Sequence, residues 1–280
     1  MNYSERVWQH LDQYLSNKGS LTEAMRYSVL SAGKRFRPIL TYTVADTFGA
    51  KLDLADSSAC AVEMIHAYSL IHDDLPAMDD DDMRHNQPAC HKCFGEAQAI
   101  LAGDGLQALA FEVLANDQKL STQSRVDALK VLTYSAFEMA EGQSIDLNST
   151  GKSISIETLK SMHQKKTGAL LDCSVQLGAL VAFCNDADTQ VLKRFSAHIG
   201  LAYQIQDDVL DVLTPEELLG KKQNSDAKKK KPTYPSLLGL EASKTEYRRL
   251  YQLALKDLDG LSVDAKKLRT LTEYLQSRQF

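Results

Sequence analysis

The segment from His72 to Asn86, HDDLPAMDDDDMRHN, places six aspartates within ten positions, directly after the apolar run AVEMIHAYSLI. Carboxylates at this density repel one another unless cations lie among them. Ligand sets made only of oxygen suit hard divalent ions, magnesium above all. The segment therefore predicts either a metal site or a solvated acidic loop at the end of a helix.

A second group of carboxylates occurs in YQIQDDVLDV, residues 203–212. Three aspartates follow Gln204 by three, four and seven residues, so on a helix the four side chains lie on one face. Magnesium is typically bound by one or two carboxylates together with substrate phosphates. Two such clusters, each on an apolar helix, favour a multi-metal diphosphate site over two coincidental acidic surfaces. The three aspartates are Asp207, Asp208 and Asp211.

Small islands of basic residues accompany the two acidic clusters. A lone island is usually a solvated surface. Several islands beside paired aspartate clusters favour an anionic, metal-bridged substrate, because phosphate groups need cations and donors. The islands are GKRFRP with Lys34, Arg35 and Arg37, MRHN with Arg84, and KKTGALL with Lys165 and Lys166.

The overall composition is that of a large folded protein. The chain has 280 residues, 44% of them hydrophobic, and a formal net charge of -5. It can bury a sizeable core, and its charge argues against a general nucleic-acid binder. The amino terminus lacks the pattern of a secretory signal, and the most apolar later stretch is interrupted by Asp172 and Gln176. We therefore expect a cytoplasmic protein without an integral membrane segment.

The cysteines are an odd, scattered set of five, which is typical of reduced thiols rather than of a disulfide framework. One pair, Cys90 and Cys93, has the spacing of a redox or zinc motif. No second pair with this spacing exists in the sequence, so both of those roles are alternatives to plain thiols.

Apolar residues recur with a helical period along most of the chain. In LTEAMRYSVLSAG they include Leu21, Met25 and Val29, and Gly33 follows as a stop signal. No sustained strand-like alternation is found in the sequence. The pattern predicts an all-α fold in one domain over residues 1–280. The predicted helices are about 54–74, 95–116, 123–147, 157–184 and 188–213, with a carboxy-terminal group after Thr233.

The motifs resemble those of a known family. IHDDLPAMDDDDMR and YQIQDDVLD are similar to the two aspartate-rich motifs of the trans-prenyl diphosphate synthases, and GKRFRP, EGQSIDL, KKTGALL and KPTYPSLLGL stand in that family's order. The match runs from about Gly33 to Leu240, and among the subfamilies it resembles the bacterial farnesyl diphosphate synthases. The resemblance implies an all-α isoprenoid synthase bundle around a central catalytic cavity, usually as a homodimer.

The same resemblance implies a set of metal ligands. Asp73 and Asp79 from one wall and Asp207 from the other would hold three magnesium ions, which bridge the diphosphate of an allylic substrate. The nearby ligands or outer acceptors would be Asp74, Asp208 and Asp211.

Basic residues would bind the allylic diphosphate, and two polar side chains would line the reacting carbons. By the resemblance, the polar side chains are Thr167 and Gln204. The basic residues are Arg84, Lys166 and Lys221.

A second substrate, isopentenyl diphosphate, would be held through its diphosphate by Lys34, Arg37 and His66. The spacing supports His66 independently, because it lies seven residues before Asp73 and so on the same helix face. A histidine satisfied within the core remains the alternative for this position.

The implied reaction is the head-to-tail, 1'-4 condensation of dimethylallyl or geranyl diphosphate with isopentenyl diphosphate. Loss of pyrophosphate would leave an allylic cation, stabilised by carbonyl and hydroxyl dipoles at Lys166, Thr167 and Gln204. The double bond of isopentenyl diphosphate would attack this cation, and the released pyrophosphate would take the proton.

Product length would depend on packing one turn before Asp73. The growing chain would run down an apolar cavity, and a bulky side chain there would form its floor. Tyr68, with Ser69 beside it, is such a residue, and farnesyl synthases that resemble this chain carry an aromatic there. We therefore expect a product of fifteen carbons. Ten or twenty carbons, or a Tyr68 that serves only core packing, are the alternatives.

The chain departs from the family pattern at the end of the first motif. The family has Arg-Arg-Gly where this chain has Arg84, His85 and Asn86. His85 would be a weaker, pH-dependent donor to isopentenyl diphosphate in place of the arginine.

The loop DAKKKKP, residues 226–232, is a second departure. Lys228 to Lys230 are expected to be solvated. Lys231 falls at a family position, in a loop placed to close over the diphosphates.

Two further functions compete with this interpretation. A terpene cyclase shares the first motif but usually lacks the second motif and the GKRFR island. A non-catalytic subunit that regulates an active partner is the other, and intact aspartate motifs and lysine islands argue against it.

Overall fold

The computed structural model describes residues 2–16, 19–31, 33–213 and 229–278. Within these ranges helices dominate, and the all-α prediction is confirmed. The helices are α1 Tyr3–Tyr14, α2 Ser20–Val29, α3 Phe36–Thr47, α4 Asp56–Asp73, α5 Cys90–Phe94, α6 Glu96–Ala115, α7 Thr122–Ser149, α8 Ile156–His163, α9 Ala169–Val181, α10 Asp186–Leu213, α11 Tyr234–Leu238, α12 Leu240–Asp257 and α13 Lys266–Ser277.

Short elements of other types connect these helices. Two 3₁₀ turns cover Leu52–Leu54 and Leu258–Gly260. A small antiparallel hairpin pairs β1, Met83–Arg84, with β2, Gln87–Pro88. The two residues at its tip have φ angles of 51° and 61°, the left-handed conformation that a type I′ turn requires. They are His85 and Asn86.

Helix α4 lies inside the molecule and delivers the first aspartate motif. Most of its 18 residues are buried, including both polar and apolar ones on all sides. It ends at Asp73, shortly before Pro76, whose ring cannot continue a helix. The aspartates after Asp73 are therefore presented by a loop that starts at a fixed helix end.

Four of the predicted helices, which correspond to α4, α6, α7 and α10, are confirmed to within two residues at each end. The stretch predicted as one helix over 157–184 is helical without a break over 156–181, but it is not one regular α-helix. The chain there forms α8, then a π-helical turn at Gln164–Gly168, then α9. Such π turns occur frequently at functional sites, and this one contains the KKTG sequence.

Helix α9 lies between two apolar clusters and supplies both of them. Leu170 and Leu177 pack in a cluster with α1, α2, α4, α6 and α7, whereas Leu171 and Val175 pack with α10, α12 and α13. Helix α3 is shared in the same way. None of the described helices combines the length and the apolarity that crossing a bilayer would need.

Candidate active site

The first aspartate cluster is formed by the loop that follows α4. The backbone N–H of Asp79 donates to the carbonyl of Asp73 at 2.9 Å, and that of Asp81 donates to the carbonyl of Asp74 at 3.2 Å. These bonds fold the loop back onto the helix end. As a result the Asp79 carboxylate lies close enough to Asp73 to raise the pKa of the Asp73 carboxyl.

Basic side chains neutralise two of the predicted ligands. Arg84 donates to Asp74 through Nε, at 3.1 Å and 3.2 Å from the two carboxylate oxygens, and also through Nη2. Lys231 Nζ lies 2.8 Å from both carboxylate oxygens of Asp79. The Lys231 loop therefore already closes on the first aspartate cluster.

The additional aspartates of the motif also have cationic partners. Asp81 accepts from Lys229 Nζ at 2.6 Å, and Asp82 lies 2.7 Å from Lys92 Nζ. The expectation that Lys228 to Lys230 are solvated is therefore wrong for Lys229. Position 228 lies outside the described residues. These contacts give Asp81 and Asp82 a structural role in holding the loop.

The carboxyl group of Asp73 is in a different environment. Burial removes its hydration and raises its pKa to about 6; Lys166 opposes this rise, and Asp79 adds to it. No ion pair to Asp73 is found in the part of the chain that the structure describes. A nearby cation would therefore stabilise its charged form.

Sequence inspection missed Asp146 on α7, which connects the lysines of the site. This residue is 3% exposed, and its Oδ2 accepts from Lys166 Nζ at 2.5 Å and from Lys231 Nζ at 3.2 Å. Burial opposes its charge, yet the two ammonium groups hold the pKa of Asp146 below its ordinary value. The signal was present in the motif EGQSIDL, whose last acidic residue is Asp146.

A glycine in the same motif lets α7 approach the π turn. A Cβ built on Gly142 would lie 2.2 Å from the backbone nitrogen of Lys166 and 2.6 Å from its Cα, so any larger residue would displace that backbone. Gly142 lies one helical turn before Asp146. The close approach therefore places the Asp146 carboxylate next to the Lys166 ammonium.

The π turn also contacts the second aspartate cluster. The Thr167 hydroxyl donates to the amide oxygen of Gln204 at 2.6 Å, and Gln204 Nε2 donates to Asp208 at 3.1 Å. Thr167 is itself buried. The predicted catalytic residues Thr167 and Gln204 thus connect the π turn to the second cluster, and Lys166, next to Thr167, bonds to Asp146.

The three aspartates of the second cluster differ in environment. Asp208 is buried and accepts from the backbone N–H of Tyr234 at 3.0 Å, with His163 Nε2 at 2.9 Å. Asp207 is partly exposed and lies 2.8 Å from Arg278 Nη2. The remaining aspartate, Asp211, is buried. Asp208 thus acts as a structural acceptor, whereas Asp207 pairs with the guanidinium of Arg278.

The residues predicted to bind the second diphosphate share one electropositive region. Burial lowers the pKa of Lys34, and Arg278 adds to this effect while Asp207 opposes it. Burial likewise lowers the pKa of Arg37, whose Nε is buried without a hydrogen-bond partner. Burial and nearby Arg37 hold the pKa of His66 well below its ordinary value, so this imidazole is neutral. A buried guanidinium with an unused donor suits an incoming anion.

His85 lies at the edge of the same region. Its Nδ1 is 3.4 Å from Ser31 Oγ. Burial, reinforced by Arg84 and Arg35, lowers the pKa of His85 to about 4. His85 is therefore a neutral hydrogen-bonding group at physiological pH, and it does not replace the charge of an arginine. With Arg84 it lines a small cavity of about 30 Å³.

The predicted chain-length residues lie on the inner part of α4. Tyr68 is 8% exposed, and its ring meets the His72 ring edge-on. The Ser69 hydroxyl donates to the carbonyl of His66 at 2.8 Å, so Ser69 is satisfied within its own helix. Another predicted residue, Lys221, lies outside the described residues.

Divalent metal ions fit this site through the chemistry of its donors. The candidate ligands of both clusters are carboxylates, and burial raises the pKa of Asp73, so a cation beside it would stabilise its charged form. Within the described ranges no group of three or more His, Cys, Asp or Glu side chains is arranged to hold a metal by itself. Magnesium commonly completes its ligand shell with substrate phosphates, so separated carboxylates suit it.

Comparisons with known proteins agree with this geometry. The polyprenyl synthetase family matches residues 18–270. The chain is 45% identical to the farnesyl diphosphate synthase of Escherichia coli K12 over 268 residues, which cover 92% of this chain and 89% of that protein. It is also 45% identical to the chloroplastic geranylgeranyl pyrophosphate synthase of Capsicum annuum over 261 residues, which cover 91% of this chain and 71% of that protein.

Comparison with solved structures agrees with the comparison of sequences. The crystal structure of a geranyltransferase from Legionella pneumophila matches with a TM-score of 0.88 and 36% identity, over 99% of this chain and 94% of that one. The similarity in sequence and in fold thus extends over nearly the whole length of the chain. The protein belongs to the polyprenyl synthetase family and has its all-α isoprenoid synthase fold.

Proposed function

We propose that this protein condenses dimethylallyl or geranyl diphosphate with isopentenyl diphosphate, head to tail, to give (2E,6E)-farnesyl diphosphate and pyrophosphate. The observation that carries the proposal is the hydrogen bond of 2.6 Å between Thr167 and Gln204. It joins the π turn, whose Lys166 faces the first aspartate cluster, to the helix of the second cluster. An allylic diphosphate bound there would meet carboxylates from both sides.

The chain's own residues would orient the two substrates. Arg84, Lys166 and Lys231 would bind the allylic diphosphate, since each already bonds to a carboxylate of the first cluster or to Asp146. The unused donor of Arg37 supports a second anion site. That site, which would hold isopentenyl diphosphate, consists of Lys34, Arg37, His66 and His85.

Magnesium, about three ions per site, would neutralise the allylic diphosphate as a leaving group. Asp73, Asp79 and Asp207 would be the ligands, and Asp74, Asp208 and Asp211 would support them through contacts around the cluster. Lys231 would have to transfer from Asp79 to the diphosphate when substrate binds.

Oriented dipoles would stabilise the allylic cation. The hydroxyl of Thr167 and the amide oxygen of Gln204 lie together in a largely buried position. Oxygen dipoles that are fixed before the reaction stabilise developing positive charge without reorganising. The new carbon–carbon bond forms from the double bond of isopentenyl diphosphate, and the released pyrophosphate accepts the proton that is lost.

The product length follows from Tyr68. A buried ring on α4 near Asp73 would stop the growing chain at fifteen carbons. The similarity to synthases named for farnesyl and for geranylgeranyl products keeps twenty carbons as the main alternative, and ten carbons as a further one.

A homodimer is part of the proposal. Two neighbouring helices expose large apolar side chains: Ile100 is 46% and Leu101 50% exposed on α6, and Tyr134 is 66% and Phe137 63% exposed on α7. Contiguous apolar surface of this kind marks interaction sites. We propose that a second copy of the chain covers this α6–α7 face.

The remaining expectations complete the proposal. One domain over residues 1–280 is supported by the family match and by α9, which supplies both apolar clusters. A cytoplasmic location is supported by the cysteines, all of which are free thiols.

The test is incubation of the purified chain with magnesium, dimethylallyl diphosphate and isopentenyl diphosphate, followed by chain-length analysis of the products. We expect a fifteen-carbon product, and we expect it to disappear when a chelator removes the metal. A reaction without protein and one with Asp73→Asn are the controls. If no prenyl product exceeded the protein-free control, the synthase proposal would fail in favour of a non-catalytic subunit.

A further inference from the structure

Tyr68 is held from two directions where α4 packs against α6. Its ring lies edge-on to the ring of His72, with centroids 5.8 Å apart and planes at 74°. Its hydroxyl end lies near the side chain of Gln107 on α6. Edge-to-face aromatic pairs of this geometry are attractive beyond their buried area. The ring is therefore restrained by the His72 ring and packed near Gln107.

His72 is itself fixed by α6. Its Nε2 lies 3.0 Å from the carbonyl oxygen of Ile100, and because a carbonyl only accepts, Nε2 carries the hydrogen. A Cβ built on Gly103 would lie 2.1 Å from Nε2 and 2.5 Å from Cδ2 of His72. The imidazole thus occupies space that exists only because residue 103 is glycine.

These contacts come from one stripe of α6. Ile100, Gly103 and Gln107 are spaced by three and four residues, so they lie on one helix face. Tyr68 and His72, four residues apart, form the matching stripe on α4. We call His72, Ile100, Gly103 and Gln107 the Tyr68 clamp.

We propose that His72 is a positioning residue for product length, which acts by holding the Tyr68 ring in place through the clamp. The inference rests on the proposed function, and it concerns how the chain-length floor is kept rigid. An aromatic floor limits the product only if its ring cannot rotate away, since a growing prenyl chain would otherwise push it aside. Packing on Gly103 and the bond to Ile100 supply that restraint.

The test compares product distributions at equal total turnover. His72→Asn removes the ring that meets Tyr68, and Gly103→Ala places a methyl group where the His72 ring lies. Each is expected to raise the share of twenty-carbon product about tenfold, at the low end of the discrimination that an apolar pocket gives. Gly105→Ala is the matched control on α6, because its added Cβ would meet only flexible side chains of Met25 and Leu21.

A double-variant comparison decides whether His72 acts through Tyr68. In a Tyr68→Ala background, His72→Asn should cause no further lengthening. Thermal unfolding and circular dichroism of each variant confirm that it is folded. Unchanged distributions in both single variants of an active enzyme, or equal lengthening with and without Tyr68, would overturn the inference while leaving the synthase proposal intact. An inactive wild-type chain would instead overturn the proposed function.

Discussion

Lys166 Nζ lies 2.5 Å from Asp146 Oδ2, and this pair joins the π turn to α7. The carboxylate also takes the ammonium of Lys231, which in turn bonds to Asp79. The buried carboxylate of Asp146 therefore positions the ammonium groups of Lys166 and Lys231 relative to the first aspartate cluster. Its effect on the proposed reaction should be large, although it was not among the residues that the sequence motifs singled out.

The first prediction concerns Asp146→Asn. Loss of the carboxylate leaves Lys166 and Lys231 without their common acceptor, so both cations shift. Misplacement of positioning groups by about 1 Å typically costs about a hundredfold in rate, and we expect kcat/KM to fall by about that factor. Steady-state kinetics with geranyl and isopentenyl diphosphates measures kcat/KM for the variant and the wild type.

Asp127→Asn is the matched control for Asp146→Asn. Asp127 lies on the same helix, but its partner Lys130 is exposed, so solvent screens the charge of this pair. Its kcat/KM should equal that of the wild type. Equal kinetics in the two variants would refute a positioning role for Asp146.

The second prediction concerns pH and Asp73. Its folded pKa, about 6, lies above the ordinary value of 3.8, so its stabilising contribution is present below pH 3.8 and is lost as the pH rises through 6. Relative to Asp73→Asn, the metal-free wild type should lose about 2 to 3 kcal/mol in free energy of unfolding between pH 4 and pH 7.5. Urea unfolding in the presence of a chelator measures the difference. A pH-independent difference would count against the burial of this charge.

The third prediction concerns His85→Arg. A neutral imidazole would be replaced by a cation that makes charge-assisted hydrogen bonds, which are stronger by about 1 kcal/mol. We expect the KM for isopentenyl diphosphate to fall about fivefold, with little change in the KM for geranyl diphosphate. Because the pKa of His85 is about 4, the wild-type KM should not vary with its titration between pH 6 and 8. If the KM for geranyl diphosphate fell by the same factor as the KM for isopentenyl diphosphate, His85 would not belong specifically to the isopentenyl diphosphate site.

The fourth prediction concerns Tyr68→Ala. Removing the buried ring opens the cavity beyond the fifteenth carbon, so twenty-carbon product should become predominant. Truncating a buried aromatic also costs about 3 to 5 kcal/mol of stability, so the assay belongs well below the melting temperature of the variant. Chromatography of dephosphorylated products measures chain length. If the product still had fifteen carbons, Tyr68 would serve only core packing and would not limit the product length.

The fifth prediction concerns the α6–α7 face. Tyr134→Glu combined with Phe137→Glu places two charges on the proposed interface and should convert the dimer into monomers, as read by light scattering after gel filtration. Tyr274→Glu is the control, because Tyr274 is 65% exposed on α13, away from this face. A wild-type chain that is already monomeric would remove the homodimer from the proposal.

Residue types and their spacing were enough to predict the main helices and the kind of chemistry. Apolar periodicity located α4, α6, α7 and α10, because a buried helix face repeats every three to four residues whatever it packs against. Clusters of carboxylates beside groups of basic residues indicated a metal-bridged diphosphate. The sign of each charge follows directly from the residue type, so this chemistry can be inferred before the fold is known. The family motifs then assigned individual roles.

Which charged side chains contact one another became visible in the packed fold alone. Asp146 stands far from Lys231 in sequence, and nothing local in either segment reveals that α7 and the loop before α11 converge on Asp79. The lowered pKa of His85 likewise depends on how the folded chain desolvates its ring near Arg84 and Arg35. The helical period also could not reveal the π turn, whose backbone approaches Gly142 on another helix closely. Electrostatic partners and close approaches are distances through space, and these arise only when the helices have packed.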